Sequence, residues 1–301
     1  MTESMARCGF VALVGRPNVG KSTLLNRLLG QKVSITSSRP QTTRNRILGI
    51  KSEPDYQAVY VDTPGLHLGA KRAVNRFMNR EAGSALLDVD VVIFLIEALR
   101  WTEEDDNVLE RLREIDTPVI LAVNKVDRVK DKERLLPFLQ EVSAKADFAD
   151  VVPLSATKGS NTETLERLAV ERLPESPPLF PEEQLTDRSE RFLAAELVRE
   201  KLIGHLGEEL PYSLAVEIEK FDERKKDRLS ISALIWVERP GQKKIVIGRE
   251  GHVLKEVGRQ ARIDMERLFG AKVFLELWVK VKEGWADDER ALRSLGYSDE
   301  M

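Results

Sequence analysis

The chain has one cysteine, Cys8, three histidines, only 6% aromatic residues and no apolar run longer than a strand. A single cysteine excludes an internal disulfide and a zinc site built on cysteines. Lying just before an apolar run, Cys8 reads as a buried thiol. The longest wholly aliphatic or aromatic stretch, Val91-Val92-Ile93-Phe94-Leu95-Ile96, is strand-sized and far short of a membrane span. Met1-Thr2-Glu3-Ser4 lacks a basic region followed by a long apolar segment, so no signal peptide is expected and the chain reads as cytosolic. Neither sign of charge dominates: 47 Lys and Arg face 50 Asp and Glu, a net charge of −3. Nucleic acid or a membrane surface would therefore have to be held by a local patch. Repeats and low-complexity segments are also missing. A 301-residue chain with 42% hydrophobic and 32% charged residues has material for two cores.

Against these absences stands Gly15-Arg16-Pro17-Asn18-Val19-Gly20-Lys21-Ser22, a G-x-x-x-x-G-K-S loop followed by Thr23. Two glycines let backbone N–H groups curl around a β-phosphate, the lysine bridges β- and γ-oxygens, and the serine hydroxyl is a Mg²⁺ ligand. The apolar run Phe10–Val14 feeds the loop and a helical stretch from Ser22 leaves it, ending at Gly30. That order sets an anion at the positive end of a helix.

From Cys8 to Leu173 the apolar runs Phe10–Val14, Ala58–Val61, Val91–Ile96, Val119–Val123 and Val151–Leu154 alternate with longer amphipathic segments. This predicts an α/β fold with a doubly wound, mostly parallel sheet over residues 1–173. The stretch from Leu173 to Pro181 holds four prolines and predicts a stiff linker, 174–188. Beyond it, 189–301 changes pattern. Ser189 caps a helical spacing to Leu206; strands follow at Tyr212–Phe221 and Leu229–Val237, then an Ile-Val-Ile-Gly turn, a helix from His252 to Phe269 and a strand from Val273 to Val281. The order α-β-β-α-α-β predicts a separate α+β module.

Three further motifs fall where strands end, the ligand edge of an open α/β sheet. Asp62-Thr63-Pro64-Gly65 offers a carboxylate for Mg²⁺ and the Gly65 N–H for a γ-phosphate. Asn124-Lys125-Val126-Asp127 selects the base: the Asp127 carboxylate accepts from guanine N1–H and the N2 amine, a donor pair that adenine lacks. Lys125 can lay its stem along the purine face. In Ser155-Ala156 the Ala156 N–H can donate to guanine O6.

Together Gly15–Ser22, Asp62–Gly65, Asn124–Asp127 and Ser155-Ala156 resemble the loops of the translation-factor-like GTPases, and Ser34–Arg44 is similar to switch I of their Era branch. The resemblance implies GTP and GDP as ligands and Mg²⁺ on Ser22, Thr43 and Asp62. It also implies catalytic contacts from Lys21, Thr43 and Gly65. After Gly65 comes Leu66, where Ras-like enzymes carry a water-orienting glutamine, so turnover is expected to be slow, roughly 10⁻⁴ to 10⁻² s⁻¹. His67 reads as a solvent-exposed loop histidine. Asn18 carries two readings of equal weight: it shapes the loop, or it holds K⁺, as asparagine does at this position in related GTPases.

Ile245-Val246-Ile247-Gly248-Arg249-Glu250-Gly251 contains the G-x-x-G loop of a type II KH domain, with a helix after it and two strands before it. Lys243, Lys244, Ile247, Gly248, Arg249, Glu250, Gly251 and Lys255 are the expected RNA contacts. From residue 241 to 282, ten Lys and Arg face five acids, a local +5. The run from Leu275 to Tyr297 resembles the C-terminus of the Era family. Within it Trp285 reads as packing the tail against the sheet, with base stacking as the alternative. The family likeness implies a largely monomeric factor that holds the 3′ end of 16S ribosomal RNA and acts in small-subunit assembly. The alternative is a signalling GTPase peripheral to the inner membrane. Single-turnover hydrolysis measured in KCl and in NaCl separates the two readings of Asn18. A faster rate in K⁺ assigns it as a ligand, and equal rates assign it to the turn.

Overall fold

Each apolar run of the first half becomes a strand in the computed structural model, which describes residues 6–37, 39, 42–64, 88–206, 214–224 and 228–285. The described residues form two units. The first takes 6–34, 43–64 and 88–187, and the second takes 35–37, 39, 42 and the described residues from 188 onward.

In the first unit the strands are β1 (Arg7–Val14), β2 (Ile47–Glu53), β3 (Tyr56–Asp62), β4 (Val91–Glu97), β5 (Val119–Asn124) and β6 (Asp150–Pro153). They form one sheet in the order β2-β3-β1-β4-β5-β6, parallel except for β2. The helices are α1 (Lys21–Leu29), α2 (Glu103–Leu112), α3 (Leu135–Ser143) and α4 (Thr162–Val170). Alternation along β1 sends Val11 and Leu13 into a layer with Leu24, Leu25 and Leu28 of α1, and Ala12 and Val14 into a layer with Val108, Leu109 and Leu112 of α2. Both faces are covered, as a parallel sheet requires. Chain order reverses between β3 and β4 on either side of β1, so the crevice for a ligand opens above the end of β1.

Strand β2 does not stand out in the sequence. Ile47-Leu48-Gly49-Ile50-Lys51-Ser52-Glu53 alternates poorly, and its strand state comes from pairing with β3 through the two-residue turn Pro54-Asp55.

The segment expected as a linker is a strap lying on the first unit. Ser176 N–H donates to the Ala6 carbonyl, and the Gln57 side chain accepts from the N–H groups of Leu179 and Phe180 at 2.8 and 2.9 Å. Ile50 N–H donates to the Leu185 carbonyl and Leu48 N–H to Asp187. Prolines keep this stretch extended, and the free N–H groups of edge strand β2 give it partners.

The second unit follows the α-β-β-α-α-β order: α5 (Glu190–His205), β7 (Leu214–Arg224), β8 (Arg228–Val237), α6 (Pro240–Ile247), α7 (His252–Phe269) and β9 (Lys272–Val281). Ser189 caps α5 by accepting from the Phe192 N–H. Strand β8 pairs antiparallel with β7 and parallel with β9. Ile245 to Ile247, read as a turn, are the last turn of α6, which Pro240 starts and the Gln242 side chain caps. Ile231, Ala233, Ile235 and Val237 of β8 bury against Val198 and Leu202 of α5 and Val257, Ala261 and Met265 of α7. This unit also includes the stretch 35–42, where the Thr36 N–H donates to Glu200 at 2.9 Å and Arg199 donates to the Thr42 carbonyl. Trp285 is fully buried, which sets aside base stacking by its ring. Among the described residues no helix is long and apolar enough to cross a membrane.

Gln57 holds the strap from a site only 2% exposed. Gln57→Ala leaves two strap N–H groups without their acceptor and should lower unfolding free energy by about 2–3 kcal/mol, read from urea denaturation.

Candidate nucleotide site and nucleic-acid loop

Between β1 and α1, residues 15–20 turn through positive φ at Gly15 (147°), Asn18 (64°) and Gly20 (110°). A Cβ on Gly15 would sit 2.4 Å from the Leu95 carbonyl oxygen, and one on Gly20 would sit 2.3 Å from the Asn124 amide nitrogen. Backbone angle and space therefore both demand glycine. Gly20 is the N-cap of α1 with no side chain capping it, which leaves the helix-end N–H groups for an anion. Val19 is buried and Asn18 is exposed. Lys21 lies beneath the loop, its Nζ donating to the carbonyls of Gly15 at 2.8 Å and Arg16 at 3.1 Å. Burial pushes its ammonium down to about 8, against the pull of the Asp62 carboxylate.

The three expected Mg²⁺ ligands meet. Ser22 Oγ donates to Asp62 Oδ2 at 2.7 Å and lies 2.9 Å from Thr43 Oγ1. Ser34, not singled out from sequence, donates to the same Asp62 oxygen at 2.8 Å. Asp62 Oδ1 is buried with no partner, and burial raises the carboxyl above its ordinary value. An orphaned carboxylate oxygen beside two hydroxyls is a hard-oxygen set that suits Mg²⁺. Thr63 turns its hydroxyl to the Leu13 carbonyl at 2.9 Å, and Pro64 is buried beside it. Gly65, Leu66 and His67 lie outside the described residues.

At the base end, Asn124 Nδ2 donates to the Val19 carbonyl at 2.8 Å, while its Oδ1 accepts from the N–H groups of Lys125 and Ala156 at 2.7 and 3.0 Å. The Ala156 N–H, expected to point at guanine O6, is thus engaged by Asn124. Asp127 is exposed, and Ser155 Oγ donates to it at 2.6 Å, fixing one carboxylate oxygen and leaving the carboxylate facing solvent. Arg27 of α1 reaches the carbonyls of Ala156 and Thr157, fastening this loop to the helix that follows the phosphate loop.

Two acids complete the site that no motif announces. The buried Arg16 side chain is tied to two acids, with Nε donating to Asp105 and Nη2 to Glu97, both at 3.1 Å. Lys125 Nζ also pairs with Glu97 at 3.2 Å. Burial pushes the Glu97 carboxyl up, but Lys125 and Arg16 outweigh it and hold it below its usual value. The capping pattern Thr102-x-x-Asp105 is the one sequence signal that could have found part of this network.

In the second unit, Gly248 closes α6 at φ 75° and Gly251 opens α7 at φ 75°, with Glu250 between them also left-handed at φ 53°. Arg249 and Glu250 project from this turn, and Lys244 and Lys255 stand exposed on either side. Ile247 is half-buried, and Ile245, absent from the expected contacts, is 54% exposed. Arg259 and Arg262 are paired with Glu256 and Glu266. Among the described residues Lys243, Lys244, Arg249 and Lys255 around the loop have no acidic partner, and neither does Lys282, which lies over the Trp236 ring.

The comparisons fit both halves. Residues 10–125 match the family model described as 50S ribosome-binding GTPase, and residues 209–286 match that of the KH domain. The GTPase Era of Glaesserella parasuis serovar 5 is 59% identical over 300 residues, covering 100% of both chains. That of Marinobacter nauticus is 61% identical over 294 residues, 98% of this chain and 96% of that protein. The crystal structure of an Era in complex with MgGDPNP and nucleotides 1506–1542 of 16S ribosomal RNA has a TM-score of 0.94 at 40% identity, covering 97% of this chain and 99% of that one. A variant of the Aquifex aeolicus Era bound to GDP and AlF4⁻ has a TM-score of 0.93 at the same identity and coverage.

Lys21 gives the fold a defined pH dependence. Its folded value, about 8, lies below the ordinary 10.5, so between these limits the unfolded chain binds more protons and stability rises with pH. Relative to Lys21→Met, the parent chain should gain about 2 kcal/mol of unfolding free energy from pH 7.5 to 9.5 in urea titrations. A flat difference would mean that the ammonium carries no burial penalty.

Proposed function

Since the chain belongs to the Era family of GTPases, we propose that it is a GTP-driven switch in small ribosomal subunit assembly. In this reading it binds GTP across residues 15–23, 62–65, 124–127 and 155–156 and hydrolyses it to GDP and phosphate. Its 248–251 loop holds the 3′ end of 16S ribosomal RNA. GTP handling belongs to residues 1–173 and RNA to 189–301, with 174–188 joining them; the factor works as a monomer in the cytoplasm.

One observation carries the nucleotide half: Ser22, Thr43 and Asp62 converge beside a phosphate loop that Asn124 ties, through the Val19 carbonyl, to the 124–127 and 155–156 loops. Loop N–H groups receive the phosphates, and Lys21 exchanges its two backbone carbonyls for phosphate oxygens. Asp127, steadied by Ser155, accepts from the guanine edge. Mg²⁺ held by Ser22, Thr43 and Asp62 supplies charge neutralisation at the phosphates. Thr43 and the Gly65 N–H close on the γ-phosphate, and Asn18 either completes the turn or holds K⁺. With leucine at position 66, no glutamine orients the water, which suits a slow switch.

For the RNA half, the support is a left-handed turn with exposed Arg249 flanked by unpaired lysines. Glycine at 248 and 251 lets a sugar-phosphate backbone come close. A Cβ at Gly251 meets nothing within 4 Å, whereas one at Gly248 would strike Val253. Gly251→Asp therefore tests the loop with the less disturbance, and Gly248→Asp with the more. Both should lower affinity for a single-stranded 16S 3′-end oligonucleotide by at least about tenfold while GDP affinity is unchanged. RNA affinity retained by both variants would refute the assigned loop.

A further inference from the structure

Glu97 ends β4 in register with Asn124 of β5, at the floor of the nucleotide site. Its Oε2 is shared: Arg16 Nη2 lies 3.1 Å away, Lys125 Nζ 3.2 Å, and the exposed Arg100 guanidinium 4.0 Å. Arg16 is not free to follow Glu97, because its Nε is held by Asp105. Asp105 in turn accepts from the Thr102 N–H and hydroxyl at the head of α2, at 3.0 and 2.9 Å. The anchorage therefore runs from α2 through Asp105, Arg16 and Glu97 to the ammonium of Lys125. The Lys125 backbone is held as well as its tip: its N–H donates to Asn124 Oδ1 at 2.7 Å and its carbonyl accepts from the Arg128 N–H at 3.0 Å. A lysine stem pinned at both ends has lost its rotamer freedom before any purine arrives.

We infer that Glu97 is a positioning residue of the guanine site: it holds the Lys125 stem in the track along which the purine face lies and ties that track to the phosphate loop through Arg16. The inference rests on the nucleotide reading given above. It separates two duties at the base: Glu97, acting through Lys125, supplies packing on the purine face, while Asp127 supplies recognition of its edge. Face packing is blind to the exocyclic amine, so the two duties have different signatures.

The test is the dissociation rate of fluorescently labelled GDP from the full-length chain, with inosine diphosphate as competitor. Glu97→Ala should speed GDP release by about tenfold, and Glu97→Gln, which keeps an acceptor at the same reach, by about threefold. In a Lys125→Ala background, adding Glu97→Ala should change the rate by less than about twofold, because the stem it positions is gone. Preference for GDP over inosine diphosphate should survive both Glu97 variants and fall in Asp127→Asn. Glu97→Gln is nearly isosteric, so a melting temperature close to that of the parent keeps the test valid if Glu97→Ala folds poorly. Unchanged release in both Glu97 variants would overturn the inference. So would a full effect of Glu97→Ala in the Lys125→Ala background, which would assign Glu97 to Arg16 and the phosphate loop alone. A parent chain that fails to bind GDP, or an Asp127→Asn variant with undiminished preference, would instead overturn the guanine site itself and the inference with it.

Discussion

The first unit depends on one amide side chain. Asn124 is 2% exposed and spends its donor on the phosphate loop and its acceptor on the two base-side loops. Three loops from distant parts of the sequence thereby share one small group. Each partner left unpaired in a buried setting costs about 1–3 kcal/mol, so none of the three can drift without disturbing the others. The close approach also explains Gly20: any side chain there would occupy the space of the Asn124 amide. One obligatory glycine of the phosphate loop is thus set by a residue about a hundred positions away.

Charge is arranged around that amide in two separate clusters. Lys21 and Asp62 lie buried at the phosphate and metal end, each shifted by burial toward its neutral form, a configuration that an incoming anion and cation would relieve. Arg16, Glu97, Asp105 and Lys125 form the second cluster, linked by ion pairs, with burial still raising the Asp105 carboxyl and lowering the Lys125 ammonium. Asp62 and Glu97 end strands and Lys125 follows one, at the edge where an open parallel sheet meets its ligand.

Much of this was legible in the sequence, for identifiable reasons. The parallel strands are continuous apolar runs because both of their faces are buried, and the four nucleotide loops have fixed spacing because ligand atoms have fixed geometry. Strand β2 was not legible: Gly49 and Lys51 interrupt its pattern, and pairing with β3 overrides propensity. The packing of 174–187 on the first unit was not legible, because prolines report only that helix is impossible, not what the extended chain lies on. Glu97 and Asp105 carry no sequence signal for their pairing with Arg16, since an ion pair spanning more than eighty residues leaves no local periodicity. The engagement of the Ala156 N–H by Asn124 was hidden for the same reason. Motif spacing reports what a ligand demands; it says little about how the protein supports the groups that meet those demands.

The strap has a consequence for what else this chain could pair with. Strand β2 borders the sheet, and its outward N–H groups at Leu48 and Ile50 are taken by Asp187 and Leu185. An uncovered border of this kind is a template for another polypeptide. The molecule closes it with its own chain, and Gln57 fixes the register by gripping Leu179 and Phe180. The length between Phe180 and Leu185 is therefore set by geometry: an inserted residue would slide the acceptors off β2 and open the sheet to cross-chain pairing. Loops of similar composition elsewhere on a surface tolerate insertions freely; this one is held to its length by the strand it covers.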